Sequence, residues 1–171
     1  MKTKQKVDSF VGVIILLIGI LYLLFPMYHI KDLKKINIVM FSIIALVSLG
    51  QFIINRKSKD YTGLFNFITC LIFVILMFVF DVSKPKVLSL SILIWVALEA
   101  IIKFKKSDYY NDRRDRMWKI SLIMLGIFIL SGILTSINLY YEEEVRMIVI
   151  GFFIFVDGIL EIVDPVVKSL I

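Results

Sequence analysis

Six long apolar runs, separated by short charged segments, decide what this chain can fold into. The runs cover Phe10 to Phe25, Ile36 to Ile54, Leu64 to Phe80, Val87 to Ile102, Met117 to Ile137 and Val145 to Val163. Their lengths of 16 to 21 residues correspond to roughly 24 to 32 Å of α-helix, which brackets the thickness of the hydrocarbon core of a bilayer. Each run is therefore long enough to span a membrane.

The composition excludes an ordinary soluble domain. Hydrophobic residues make up 60% of the 171 residues and charged residues only 20%, whereas a soluble domain carries about 25% charged residues. Lipid offers no partner to an open strand edge, so helices satisfy the backbone groups of these runs best. We expect an all-α polytopic membrane protein, a single membrane domain over residues 1–171 with six transmembrane helices.

The lysines before the first run are also typical of a secretory signal, which is the alternative for this segment. No cleavage pattern of small residues follows the run, which ends in the bulky sequence Leu24-Phe25-Pro26-Met27-Tyr28. Signal peptidase sites need small residues at this place. We therefore expect the first helix to be retained.

The distribution of basic residues predicts the orientation. With six spans, 14 of the 20 Lys and Arg residues fall on the side of the two termini and 6 on the other side. The positive-inside rule then places both termini in the cytoplasm and the protein in the cell (inner or plasma) membrane. The longest connection, Lys103 to Trp118, lies on this side, and we expect a solvated linker or an interfacial turn there, with a docking site for a cytoplasmic partner as the alternative.

The six runs pair into three hairpins, Phe10 to Lys57, Tyr61 to Lys106 and Met117 to Val166. A small residue lies midway in each odd helix and late in each even helix, at a nearly constant separation. These residues are Gly19, Cys70 and Gly126 in the odd helices and Gly50, Ala100 and Gly158 in the even helices. The pattern predicts one two-helix unit repeated three times. Because helices in lipid approach closely at small residues, we expect these glycines, Ala100 and Gly12 to face other helices.

Two segments carry a resemblance to a known family. Leu17-Ile18-Gly19-Ile20-Leu21 leading to Pro26, and Phe155-Val156-Asp157-Gly158-Ile159-Leu160-Glu161 in the last run, resemble the repeated helices of the HdeD-like acid-resistance membrane proteins. The resemblance implies six helices built from repeated hairpins. It implies no catalytic residue and no cofactor.

Ionisable residues inside the runs are the candidate functional residues, because lipid makes them costly. Glu99, Asp157 and Glu161, with the neutral Gln51, all lie in the predicted cytoplasmic-side part of the even helices. One interpretation is a polar cluster where these helices converge, able to bind protons or a cation. In the other, Glu99 pairs with Lys103 on its own helix, and the two carboxylates of the last helix reach headgroup water or a loop lysine.

Enzymatic chemistry finds little support in the sequence. His29 and Cys70 are the only residues of their types, so neither a His-Glu-x-x-His nor a Cys-x-x-Cys pattern occurs, and a Walker loop and a Gly-x-Ser-x-Gly elbow are absent too. We predict no catalytic residue, no cofactor and no metal site. The basic residues are divided among short loops, which argues against nucleic-acid binding.

These patterns predict a non-enzymatic integral membrane protein that acts in envelope or acid stress or as an accessory to other membrane proteins. Its expected partners are the lipid bilayer and either another membrane protein or a second copy of the chain. The alternative is a small transporter, or a substrate-binding membrane subunit, that uses the carboxylates at a repeat interface. A wet cavity lined by Glu99, Asp157 and Gln51 would favour the alternative, and a core filled by Phe, Leu and Ile would favour the first function.

Overall fold

The computed structural model describes residues 3–30, 32–56, 60–112 and 114–170, and this part of the chain is helical without strands. The prediction of an all-α fold is confirmed. The six helices are α1 (Thr3–Leu24), α2 (Leu33–Asn55), α3 (Thr62–Val79), α4 (Pro85–Asp112), α5 (Met117–Ile137) and α6 (Glu143–Leu170).

Short polar segments and prolines set the helix boundaries. The Asp32 side chain accepts a hydrogen bond of 3.1 Å from the Lys35 backbone N–H and so caps α2. Pro85 opens α4, a position where its missing N–H costs nothing. After α1, the 3₁₀ turn Phe25–Tyr28 ends at His29, which has a left-handed φ of 54° and is exposed. The Asp32 cap, Pro85 and the turn at His29 therefore mark where one helix ends and the next begins.

The helices form a closed ring in chain order. Each helix packs on the next, and α6 returns to pack on α1 in the most extensive contact of the bundle. The contacts of α2 with α3 and of α4 with α5 are next in extent, while α1 with α2, α3 with α4 and α5 with α6 touch less. The strongest packing therefore lies between the proposed hairpins and not within them.

Glycines allow the close approach of α1 and α6. A Cβ at Gly19 would lie 2.5 Å from the backbone nitrogen of Phe155, and one at Gly12 would lie 2.8 Å from Ile162 Cγ1. Gly158 meets the backbone of Leu16 in the same way. Gly12, Gly19 and Gly158 thus face other helices, as expected, and a larger residue at any of them would push the two backbones apart.

The expectation that Gly50 and Gly126 face other helices is wrong. A Cβ at either position would meet nothing within 4 Å, because both glycines are turned away from the neighbouring helices. Ala100 is partly buried against the core. Gly63 instead provides a close contact that the sequence pattern missed: a Cβ there would lie 2.6 Å from the Ser48 carbonyl oxygen of α2.

Aromatic side chains from five helices fill the centre of the ring. Trp95 of α4 lies with its ring centroid 5.0 Å from Phe41 of α2 and 5.5 Å from Phe153 of α6. Phe73 of α3 and Phe128 of α5 complete this aromatic plug, and all five side chains are at most 4% exposed. The core is therefore packed across the axis of the bundle.

Five of the helices, α1 to α5, are long and apolar enough to cross a membrane. The outer surface of the bundle is accordingly rich in exposed large hydrophobic residues, which suits a lipid environment. The sixth helix, α6, has no apolar segment of the same length, because Asp157, Glu161 and Asp164 interrupt its sequence. The sixth span stays a prediction.

The predicted connection from Lys103 to Trp118 is wrong over most of its length. α4 continues to Asp112, and Ser107 is buried and donates a 3.1 Å hydrogen bond to the Trp118 carbonyl. This charged segment therefore continues α4. Its lysines Lys103 and Lys106 face inward and pair with acidic residues of α6. Several basic residues of the orientation prediction lie outside the described residues: Lys2, Lys31, Lys57, Lys59 and Arg113.

Candidate functional site

Two helices carry polar and charged side chains that face each other. They lie at the end of the bundle where both described chain ends lie. On α4 these residues are Glu99, Lys103, Lys106 and Tyr110, and on α6 they are Asp157, Glu161, Asp164 and Lys168. Both series follow the same spacing of four, three and four residues, which keeps each on one helix face. We call these eight residues the polar ladder.

The centre of the polar ladder is a buried ion-pair group. Lys103 Nζ lies 3.0 Å from Asp157 Oδ1 and also pairs with Glu161. The lysine side chain is 15% exposed, and it lies over the Phe128 ring at 4.8 Å. One of the two interpretations of the sequence pairs Lys103 with Glu99 on its own helix, but the ion pairs that Lys103 forms are with α6.

The hydrogen-bond partners of Glu99 are neutral groups. It is 5% exposed, and its Oε1 accepts a hydrogen bond from the Thr69 hydroxyl of α3. With its amide nitrogen turned toward the carboxyl group, Asn66 donates to Glu99 Oε2 at 3.3 Å. Among the residues that the structure describes, no Lys or Arg lies within ion-pair distance of Glu99.

The ladder continues outward through two pairs that the sequence reasoning missed. Lys106 Nζ lies 2.6 Å from Asp164 Oδ2, and Lys168 donates to the Tyr110 hydroxyl at 3.1 Å. Asp164 is 6% exposed. The matching spacing of charges on the fourth and last helices was a signal that could have predicted these pairs.

Gln51 belongs to a second polar group, between α1 and α2. Its Nε2 donates to Asp8 Oδ1 at 2.8 Å, and Asn55 donates to the same oxygen at 3.0 Å. The structure thus brings Glu99, Asp157 and Glu161 together around Lys103 and places Gln51 with Asp8. Asp8 was also missed, although it is the one carboxylate in the α1 sequence.

Little empty space adjoins the buried part of the ladder. A cavity of about 20 Å³ lies between α4, α5 and α6, lined in part by Lys103, Lys106, Glu161 and Asp164. That volume has room for roughly one water molecule. The aromatic plug closes the bundle on the inner side of Glu99, since Trp95 lies one turn before it on α4.

Carboxyl groups outnumber ammonium groups in the buried part of the ladder. Four carboxyl groups, those of Glu99, Asp157, Glu161 and Asp164, share two ammonium groups, those of Lys103 and Lys106.

An unpaired buried charge is costly, so this arrangement favours an additional positive charge on or near Glu99, either a proton or a cation. In the described part of the chain, no group of His, Cys, Asp and Glu side chains is arranged to hold a metal ion. No family model, curated protein or solved structure matches the chain. The chemistry of the site is therefore inferred from its geometry alone.

Proposed function

We propose that this chain is a small, non-enzymatic integral protein of the cell membrane that responds to acid or envelope stress through protonation of Glu99. The observation that carries the proposal is the position of Glu99, which is buried without an ion pair beside three other carboxyl groups and two lysines. A neutral Glu99 reduces the repulsion among the carboxyl groups of the ladder. An ionised Glu99 increases that repulsion and so weakens the ladder. The protonation state of one residue thereby changes the energy of the contact between α4 and α6.

This function agrees with what the resemblance to the HdeD-like family implies, and the proposal includes the arrangement of that family. The alternation of three extensive contacts, α2–α3, α4–α5 and α6–α1, with three lighter ones supports a two-helix unit repeated three times, in which the extensive contacts join successive hairpins. α6 would be the sixth span, because its acidic residues point inward while Phe152 and Ile148 are exposed to the outside.

The proposed orientation has both termini in the cytoplasm. Lys4 near the start of α1 and Lys168 near the end of α6 line the same cleft, which supports termini on one side of the membrane. Cysteine accessibility tests this topology in cells, with Cys70→Ser as the background. Cysteines at Gln5 and Ser169 should react only after the membrane is permeabilised, and a cysteine at Glu142 should react in intact cells.

Tryptophan fluorescence tests the protonation of Glu99. Trp95 lies one helical turn from Glu99, and Trp118→Phe leaves it as the only tryptophan. In this background the Trp95 emission should change as the pH falls from about 8 to about 4, the range in which perturbed carboxyl groups titrate. Glu99→Gln should abolish that change.

The matched control is Glu142→Gln, which removes an exposed carboxylate at the opposite end of the bundle. It should leave the pH-dependent emission of Trp95 intact. A Glu99→Gln protein that keeps the full pH dependence would overturn the proposed function.

The alternative of a small transporter has weaker support. The cavity beside Lys103 and Glu161 has room for one water molecule only, and the aromatic plug fills the rest of the axis. A transport pathway therefore requires the plug to open. Proton or cation flux into liposomes that is lost in Glu99→Gln would favour the transporter over the proposed function.

A further inference from the structure

A second polar site lies on the outside of the bundle, at the end that carries both described chain ends. It is an open cleft of about 440 Å³ between the start of α3, the last turns of α4 and the ends of α1 and α6. We call it the basic cleft and define it by six of its lining residues, Lys4, Asp60, Phe65, Ile101, Lys105 and Lys168. It shares Lys106, Tyr110 and Lys168 with the polar ladder but opens away from the interior.

In the described lining of the basic cleft, lysines outnumber carboxylates. Lys4 lies 2.5 Å from Asp60, and Lys106, which also lines the cleft, is occupied by Asp164. Lys105 is exposed and forms no ion pair with any described residue. The polar contact of Lys168 is with the Tyr110 hydroxyl, and its ammonium group lies over the Tyr110 ring at 4.2 Å. Among the residues that the structure describes, the ammonium groups of Lys105 and Lys168 therefore have no carboxylate partner within ion-pair distance.

These lysines are placed where an anion would be stabilised. Lys168 lies beyond the apolar run of α6, and partial burial together with the neighbouring charge of Lys4 lowers the pKa of its ammonium group. A negative group beside Lys168 would offset this repulsion. The cleft thus has the electrostatic character of an anion-binding site.

The floor and rim of the cleft are amphipathic. Phe65 and Ile101 are 51% and 55% exposed and lie on the membrane side of the lysines, where the apolar surface of α3 and α4 begins. Tyr61 and Tyr109, also in the lining, stand at the rim, the usual depth of tyrosine in a membrane interface. An anion that fits here carries an apolar extension toward the bilayer.

We propose that the basic cleft binds an anionic phospholipid, with its phosphate between Lys105 and Lys168 and an acyl chain along Phe65 and Ile101. A bilayer supplies this ligand at the right depth, because basic residues at the interface attract anionic headgroups. A free phosphate ion would use the lysines but would leave the apolar flank without a function.

Native mass spectrometry of the full chain, released from detergent with added dioleoyl phosphatidylglycerol or dioleoyl phosphatidylcholine, tests the proposal. Wild-type protein should retain phosphatidylglycerol in preference to phosphatidylcholine. Lys105→Gln should weaken retention of phosphatidylglycerol about fivefold, and the double variant with Lys168→Gln should weaken it further, by about the same factor.

The matched control is Lys34→Gln with Lys86→Gln, which removes two lysines from the opposite end of the bundle and should leave retention unchanged. Since Lys105 is exposed, its single variant keeps the fold and tests the site even if the double variant unfolds.

Equal retention of the two lipids, or wild-type retention by Lys105→Gln, would overturn the proposal. Displacement of phosphatidylglycerol by millimolar inorganic phosphate would overturn it as well, because the site would then be one for the free anion.

Discussion

The ammonium group of Lys103 on α4 lies 3.0 Å from Asp157 Oδ1 on α6 and also pairs with Glu161. α4 and α6 are not neighbours in the ring, so this side chain crosses the interior beside the Phe128 ring. The same two helices also meet at the Trp95 and Phe153 rings and at the outer pairs of the ladder. The energy of the bundle therefore depends on the charge state at this point, which is also where the proposed response to acid takes place.

Removal of the Lys103 ammonium group should be costly. Lys103→Met leaves Asp157 and Glu161 buried without their common partner, and breaking a buried pair from one side costs about 3–5 kcal/mol. Unfolding by SDS in mixed micelles should show a loss of this size. Lys86→Met, which removes an exposed lysine of the same helix, is the matched control and should change the free energy of unfolding little. Equal stability of both variants would contradict the role of the pair.

A second prediction compares two glycines. Gly19→Ala places a methyl group 2.5 Å from the Phe155 backbone nitrogen, so it should separate α1 from α6 and cost about 1–3 kcal/mol. Gly126→Ala meets nothing within 4 Å and should be neutral or stabilise the protein by up to about 1 kcal/mol, since alanine favours a helix. The same SDS titration measures both. A Gly19→Ala protein as stable as the Gly126→Ala protein would show that the ring does not close through α1 and α6.

The glycines also indicate what the sequence could predict. Apolar length located all six helices, and small residues marked Gly12, Gly19 and Gly158 correctly as points of contact. The same rule failed at Gly50 and Gly126, because the size of a residue does not reveal which side of its helix meets a neighbour. That side is decided by the closure of the ring, which brings together residues from the two ends of the chain.

Charged residues misled the prediction at the end of α4. The sequence places Lys103 and Lys106 in a connection between helices, because each is a charged residue after an apolar run. Both are in fact helical and paired with acidic residues of α6. A rule that treats each charge as an exposed group cannot foresee a partner 58 residues away. Asp157 and Glu161 were recognised as candidate residues because lipid makes unpaired carboxylates costly, whereas Asp164 was missed.

A third prediction concerns a buried hydrogen bond at the other end of the bundle. The Tyr22 hydroxyl donates to Asn37 Oδ1 at 2.6 Å, and both residues are fully buried. Tyr22→Phe leaves the amide oxygen without its donor and should cost about 1–3 kcal/mol. Tyr28→Phe, at a position that is 73% exposed, should leave the free energy of unfolding within experimental error. A Tyr22→Phe protein as stable as wild type would show that Asn37 finds another donor.

The pair of Lys4 and Asp60 predicts a pH dependence of stability outside the membrane. Burial alone would raise the pKa of Asp60, but hydrogen bonds from Lys4 and from Thr62 outweigh it and lower that pKa below its ordinary value of 3.8.

A carboxyl group with a lowered pKa stabilises the fold above pH 3.8, and this contribution is lost as the pH falls toward the pKa of the folded state. Asp60→Asn should therefore be less stable than wild type at pH 7, and the difference should shrink once the pH falls below 3.8. Asp81→Asn, at an exposed position, is the matched control and should show no such convergence. Unfolding titrations at pH 7 and in steps down to about pH 3 measure both variants. A constant difference between wild type and Asp60→Asn across this range would mean that the ion pair with Lys4 does not contribute to folding.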